Sequence, residues 1–400
     1  MTRGSGARIA AATAAASLVL AGCAQPPGGT PSTGVPTSPG SAVTPTVSSP
    51  TPSPTPHVAC LTEAQQLSQA DQVGQLYMEG VAAGVTVDQA AEDLAAGSAG
   101  SVILVGDRTD GLAATAQFVE QLQAAVPGEP LLIAVDQEGG AVQRLRGEGF
   151  SDIPAAAEQG QWADADLGSA WRTWGSELGE AGANIDLAPV ADVVPADQVP
   201  YNAAIGQLQR GYGDDPAVVA AKVTQVVEGL GDAGVASSVK HFPGLGQVPE
   251  NTDDAIGRDQ VSTLTDDELV SFEQAIEAGA NSVMVSSAIY TQVDPDHPAV
   301  FSQTIVTGIL RQRMGFDGVV ISDDLGVAAA VADYPADQRG TMFLRAGGDL
   351  VVAVDPDAVQ AMVAGTLAEA QADPLFADEL AVKAARVLAL KQEVGLLSCA

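Results

Sequence analysis

The chain has 400 residues, 46% of them hydrophobic, enough to bury one large core or two ordinary ones. Its 50 acidic residues against 17 basic ones leave a formal charge of -33. Such a surface repels a polyanion, which excludes nucleic acid as a partner, and acidity spread without like-charge blocks reads as a solvated exterior.

At the N-terminus, Arg3 and Arg8 precede an Ala-rich apolar run over residues 9–20 that ends in Leu20-Ala21-Gly22-Cys23. The run is too short and too weakly apolar for a membrane span but suits the apolar region of a signal peptide. Its ending resembles a bacterial lipobox, which implies cleavage after residue 22, lipidation of Cys23, and anchoring to the outer face of the cytoplasmic membrane. An ordinary secretory signal with a chance cysteine is the alternative. Residues 24–57 are dominated by Pro, Thr, Ser, Gly and Val without a periodic apolar face, so they cannot offset their conformational entropy and are predicted to form an extended tether. The predicted division is a leader over 1–22, a tether over 23–58 and a folded domain over 59–400. Cys60 and Cys399 remain; in an oxidising compartment they are predicted to form a disulfide that sets the domain's termini side by side, with two free thiols as the alternative.

Through the folded domain, short β-branched runs alternate with longer Ala-rich segments. Strands are predicted over residues 73–78, 101–105, 131–135, 184–189, 235–240, 282–286, 318–322 and 349–354. The segment 216–230, with Val218, Val219, Val223, Val226 and Val227 spaced for one buried side, typifies the intervening helices. Eight strands alternating with helices predict a single (β/α)8 barrel rather than an open sheet. Asp136, Asp192, Lys240 with His241, Ser286 with Ser287, and Asp323 stand where these strands finish, and the C-terminal strand ends of such a barrel converge on one active face.

Val319-Val320-Ile321-Ser322-Asp323-Asp324-Leu325 delivers two carboxylates to that face. A carboxylate held there can attack an anomeric carbon or stabilise an oxocarbenium-like charge, although capping, metal binding and structural hydrogen bonding use the same residue type. Asp136-Gln137-Glu138-Gly139-Gly140 with Gln143-Arg144-Leu145, Ala188-Pro189-Val190-Ala191-Asp192, Arg210-Gly211-Tyr212-Gly213-Asp214-Asp215-Pro216, Lys240-His241-Phe242-Pro243-Gly244-Leu245-Gly246 and Ile321-Ser322-Asp323-Asp324-Leu325 follow one another in the order seen in glycoside hydrolase family 3. The match runs from about Gln72 to Val354. Within that family the chain resembles the short, single-domain β-N-acetylglucosaminidases, lacking a second α/β domain. The resemblance implies a retaining glycosidase acting on terminal β-linked N-acetylglucosamine, with Asp323 as nucleophile. It also implies that Asp136, Arg144, Arg210, Lys240 and His241 hold the terminal sugar, in a site electropositive enough to keep Asp323 ionised. For an enzyme outside the membrane, peptidoglycan fragments are the expected source of that sugar.

Three positions depart from the family's pattern. Arg210 stands three residues later than expected, after Gln207-Leu208-Gln209, and position 141 is Ala where the short enzymes carry Arg. More consequentially, the Asp-Ser-His that supplies the general acid in the short enzymes is replaced by Asn251-Thr252-Asp253. Asp253 or Asp254 can fill that role on closure of the loop, or the segment is a turn or helix cap. His297 is placed by no motif. Three scattered histidines and no paired cysteines give no metal spacing, and there is no phosphate-binding glycine loop, so neither metal nor cofactor is expected. The rival readings are a related β-glycosidase or phosphorylase, and a sugar-binding lipoprotein with weak catalysis.

Overall fold

In a computed structural model of the chain, residues 60–399 are described. Cys23, with the predicted leader and tether, lies outside the described residues. Eight parallel strands close into a barrel: β1 Tyr77–Ala82, β2 Ser101–Val105, β3 Leu132–Val135, β4 Ile185–Asp186, β5 Ala236–Phe242, β6 Ser282–Val285, β7 Val319–Asp324 and β8 Leu350–Ala353. Each pairs with the next, and Tyr77 opposite Val351 closes the ring between β1 and β8. The strands are buried throughout most of their length because helices cover the outside and side chains fill the centre. This is the predicted (β/α)8 fold.

The first strand departs from its prediction. Ser68 accepts from the Asp71 backbone N–H at 3.2 Å and caps a helix, Gln69–Gln75, which takes Val73 out of the apolar run. The strand begins instead at Tyr77 and carries the fully buried Glu79, whose carboxyl is pushed up to about 7 by burial and then by Asp93 and Asp355. The predicted strand 184–189 contracts to Ile185–Asp186, with Val190 still bridging to Lys240.

The helix Pro216–Asp232 begins where Asp215 accepts from Ala217 N at 2.9 Å and Pro216 occupies the first turn. Its Val219, Val223, Val226 and Val227 are buried, whereas Val218 faces solvent, contrary to its predicted place on the packed side.

The last helix, Pro374–Glu393, fastens the end of the barrel opposite the pocket described below. Lys391 Nζ donates to Gln75 Oε1 at 2.6 Å and Gly100 O at 2.9 Å, Lys383 Nζ to Gly348 O at 3.0 Å, and Arg386 pairs with Asp349 at 3.1 Å. Those acceptors all precede strands β1, β2 or β8, so the contacts lie on the N-terminal face. Beyond this helix, Cys399 joins Cys60 in the predicted disulfide, with Cα atoms 5.1 Å apart at a sequence separation of 339.

Candidate active site

At the C-terminal ends of the strands lies a pocket of about 520 Å³, and Asp136, Arg144, Arg210, Lys240, His241, Asp253 and Asp323 all line it. They come from four strands, β3, β4, β5 and β7, or the loops that follow them, and converge because parallel strands present their carboxyl ends on one face.

The first wall grows from β3. Gln137–Gly139 turns back onto Val142–Gln143 in a hairpin whose corner needs Gly139 and Gly140, both at positive φ (101° and 56°). Gln137 Oε1 accepts from the backbone N–H groups of Arg144 and Leu145 at 2.9 Å each and so fixes the strand that presents Arg144. The Arg144 guanidinium, partly exposed, reaches Asp107 at 3.3 Å.

Lys240, at the end of β5, is almost fully buried and forms the centre of the floor. Its Nζ lies 2.5 Å from Asp136 and 2.6 Å from Glu138. Glu138 in turn takes a two-pronged grip from Arg210, at 2.8 Å from Nε and 2.7 Å from Nη2. Burial alone would raise the Glu138 carboxyl, but Arg210 and Lys240 outweigh it and hold the group well below the usual carboxylate range. The same pairing keeps Lys240 charged: burial opposes its charge, yet Asp136 and Glu138 push its ammonium above the ordinary value.

Next along β5, His241 is oriented from below. Asp192, with no exposed surface, meets His241 Nδ1 at 2.8 Å and also accepts from the Leu245 backbone N–H at 2.7 Å. Arg210 Nη2 stands 3.3 Å from His241 Nε2. A guanidinium can only donate, so that geometry assigns Nε2 as acceptor and Nδ1 as the donor to Asp192. The following turn passes so close to the β4 loop that a Cβ on Gly246 would lie 1.8 Å from the Val193 carbonyl oxygen, which excludes any side chain there.

The two carboxylates at the end of β7 have different surroundings. Asp324 accepts from the backbone N–H groups of Gly326, Val327, Ala328 and Val354 at 2.9 to 3.2 Å, and so acts as the clamp of the following loop. Asp323 opens into the pocket, and its carboxylate accepts from Asp324 N at 2.9 Å. Burial pushes the Asp323 carboxyl up to about 6, and the neighbouring Asp253 adds to the rise. The site is therefore less electropositive around Asp323 than its Arg and Lys content led us to expect.

In the 251–254 segment both sequence readings meet. Asn251 Oδ1 accepts from Asp253 N at 3.3 Å, and Asn251 O from Asp254 N and Ala255 N at 3.0 Å each, which makes a turn. Yet the same turn directs Asp253 to the pocket, whereas Asp254 does not line it and pairs with Asn251 Nδ2 at 3.2 Å. Ala329 N donates to Asp253 O at 3.0 Å and Ala330 N to Thr252 O at 3.1 Å, so this loop rests on the loop that Asp323 introduces.

Other strand-end residues do not reach the pocket. Ser286 bonds Tyr290 at 3.1 Å and Ser287 is buried away from the lining; His297, half exposed, pairs with Asp294 at 3.1 Å. Glu138 was not singled out as a site residue, and Asp192 was read as a strand-end residue at the active face without a role, because neither spacing nor composition distinguishes a buried partner from the residue it holds. Asp186 was missed altogether. It is fully buried near Lys240, Asp136 and Glu138, and burial pushes its carboxyl up to about 8. Among the described residues no group of three or more His, Cys, Asp or Glu is arranged to hold a metal ion.

A closed (β/α)8 barrel whose mouth carries two carboxylates beside a floor of paired cations and anions has the parts that a sugar-cleaving barrel uses. Residues 68–390 match the family model described as the glycosyl hydrolase family 3 N terminal domain. The chain belongs to glycoside hydrolase family 3. A β-N-acetylhexosaminidase from Beutenbergia cavernae DSM 12333 is 45% identical, with a TM-score of 0.79 over 82% of this chain and 99% of the other. A family 3 β-N-acetylglucosaminidase from Paenibacillus sp. str. FPU-7 is 31% identical, with a TM-score of 0.76 over 84% of this chain and 64% of that one. A β-hexosaminidase of Xanthomonas oryzae pv. oryzae is 40% identical over 253 residues, 61% of this chain and 73% of its own.

Proposed function

We propose that this protein, a glycosidase of the β-N-acetylhexosaminidase type, releases terminal N-acetylglucosamine with retention of configuration, using Asp323 as nucleophile and Asp253 as general acid and base. The observation that carries the reading is the shared pocket of these two carboxylates, Asp323 at the end of β7 and Asp253 on a loop bonded to the loop that follows β7, flanked by the Lys240, Asp136 and Arg210 cluster.

In the first step the Asp323 carboxylate attacks the anomeric carbon while Asp253 gives its proton to the departing glycosidic oxygen, leaving a covalent glycosyl ester and a free alcohol. In the second, Asp253 takes a proton from water, whose oxygen displaces Asp323 and restores both groups. Asp136 accepts from sugar hydroxyls, Arg144, Arg210 and Lys240 line the same space with donors, and the acceptor Nε2 of His241 borders it. Because Lys240 and Arg210 are already locked by Glu138, their positions cost little to organise when the sugar arrives.

Leaving groups separate the roles. A disaccharide needs strong acid assistance and an activated aryl glycoside little. Asp253→Asn is expected to lower kcat/KM on the disaccharide by roughly 10²–10⁴-fold and much less on the aryl substrate, with Asp254→Asn near the parent on both. Asp323→Asn is expected to abolish both. A disaccharide rate untouched by Asp253→Asn sinks the acid assignment, and a sugar 1-phosphate product formed in phosphate buffer would reveal a phosphorylase instead.

The leader pattern supports a further proposal: the enzyme is exported, anchored through lipid on Cys23, and acts on N-acetylglucosamine ends of peptidoglycan fragments.

A further inference from the structure

Among the described residues, eight large hydrophobic side chains are exposed, and six of them, Val199, Tyr201, Leu208, Ile256, Val261 and Val327, sit on loops that follow β4, β5 or β7. These loops form the face that carries the pocket. Singly exposed apolar residues are ordinary, but their concentration on one face is not. Of the six, Leu208 and Val327 also line the pocket, 41% and 61% exposed respectively.

We propose that Leu208 and Val327 form an apolar rim that contacts the leaving group and so selects glycosides whose aglycone turns an apolar ring face toward it, as a second pyranose or an aryl group does. The inference rests on the glycosidase reading of this pocket and adds the part of the substrate that the charged floor does not touch.

Both side chains are set on constrained backbone. Asp324 Oδ2 accepts from Val327 N at 2.9 Å while Oδ1 accepts from Val354 N at 2.9 Å, which ties the residue four places after Asp323 to the ends of β7 and β8. Leu208 lies in a compact turn in which Gln207 N reaches Asn202 O at 2.9 Å, Gln209 N reaches Gly206 O at 3.1 Å, and Arg210 N reaches Ile205 O at 3.0 Å. Two places later Arg210 is gripped by Glu138. One rim residue therefore travels with the nucleophile's strand and the other with the sugar-holding arginine.

Chemistry assigns the occupant. Asp136, Lys240, Arg210, His241 and Asp323 offer charges and hydrogen bonds suited to one sugar ring. A sugar seated on them points its glycosidic oxygen toward the mouth, where Asp253 stands, and whatever lies beyond that oxygen meets Leu208 and Val327. Pyranose and aryl rings both carry C–H or π faces that gain from leaving water against such side chains, whereas a charged group gains nothing there.

The test uses the full chain and three β-N-acetylglucosaminides: the glycosyl fluoride, whose leaving group is a single atom, an aryl glycoside, and the disaccharide. Leu208→Ser and Val327→Ser change exposed positions and should leave the fold intact, which a thermal melt verifies. Each is expected to lower kcat/KM on the disaccharide and aryl glycoside by roughly five- to tenfold, with the fluoride unchanged. Leu208→Met should recover most of the loss. Equal losses on all three substrates, or no loss on any, would overturn the rim proposal. Failure of the underlying reading shows separately, as fluoride hydrolysis that survives Asp323→Asn.

Discussion

Removing the charge of Asp253 should move the acid limb of the reaction, because Asp253 is one of the groups that raise the Asp323 carboxyl to about 6 from 3.8. Asp253→Asn keeps the shape and deletes one negative charge. At the carboxyl separation of about 5.5 Å that retention requires, two unit charges repel by roughly 3 kcal/mol at an effective dielectric of 20 and by roughly 0.8 kcal/mol in water. Those limits correspond to about two pH units and about half a unit. Asp253 is exposed, so the smaller end applies, and the expected shift is roughly 0.5 to 1 unit downward. The assay is kcat/KM against pH on the glycosyl fluoride, which needs no proton for its leaving group. A nucleophile must be ionised, so parent activity should fall as pH drops through about 6, and the variant's limb should lie nearer 5 to 5.5 by the same estimate. An unmoved limb, or one displaced upward, refutes the coupling. Stability carries the same sign. A carboxyl raised in the folded state costs stability above its folded pKa, so Asp323→Asn should stabilise the protein at pH 7 and lose that advantage toward pH 4. The rise of about two pH units sets a ceiling near 3 kcal/mol, and partial solvent access to Asp323 reduces the expectation to about 1 kcal/mol.

Glu138→Gln leaves the buried Lys240 and Arg210 without their shared anion and is expected to cost about 3 kcal/mol in denaturant unfolding, the lower end for a broken buried pair because Arg210 keeps slight exposure. A variant that unfolds at the parent's midpoint would show that this cluster is not held as described. Cys23→Ser is expected to shift the protein from the membrane fraction to the soluble exported fraction and to abolish fatty-acid labelling; labelling that persists would rule out a lipid on Cys23.

Much of the site was legible because barrel strands finish in short motifs. Asp136, Lys240, His241 and Asp323 each stand at or just beyond a strand end, so an eight-strand reading carried them to one mouth without any knowledge of packing. Arg210 was harder, since three extra residues precede it, and Glu138 explains why it still arrives: a buried carboxylate draws the guanidinium in from a loop of altered length. Strand β1 was misplaced because a fully buried Glu79 lies inside it, while the preceding apolar residues belong to a capped helix.

The chain by itself determined the alternation of strands and helices, the family and the cysteine pair, because each depends on local periodicity or on residues at recognisable spacings. Only the tertiary structure separated Asp323, open to the pocket, from Asp324, saturated by four backbone N–H groups. It also brought Asp253 rather than Asp254 to the pocket, and set Leu208 in the same lining as the charged floor. Adjacent residues of like type are indistinguishable until the fold decides which one faces solvent, which one faces backbone and which one faces the cavity. That decision rests on long-range hydrogen bonds and burial, which no local pattern encodes.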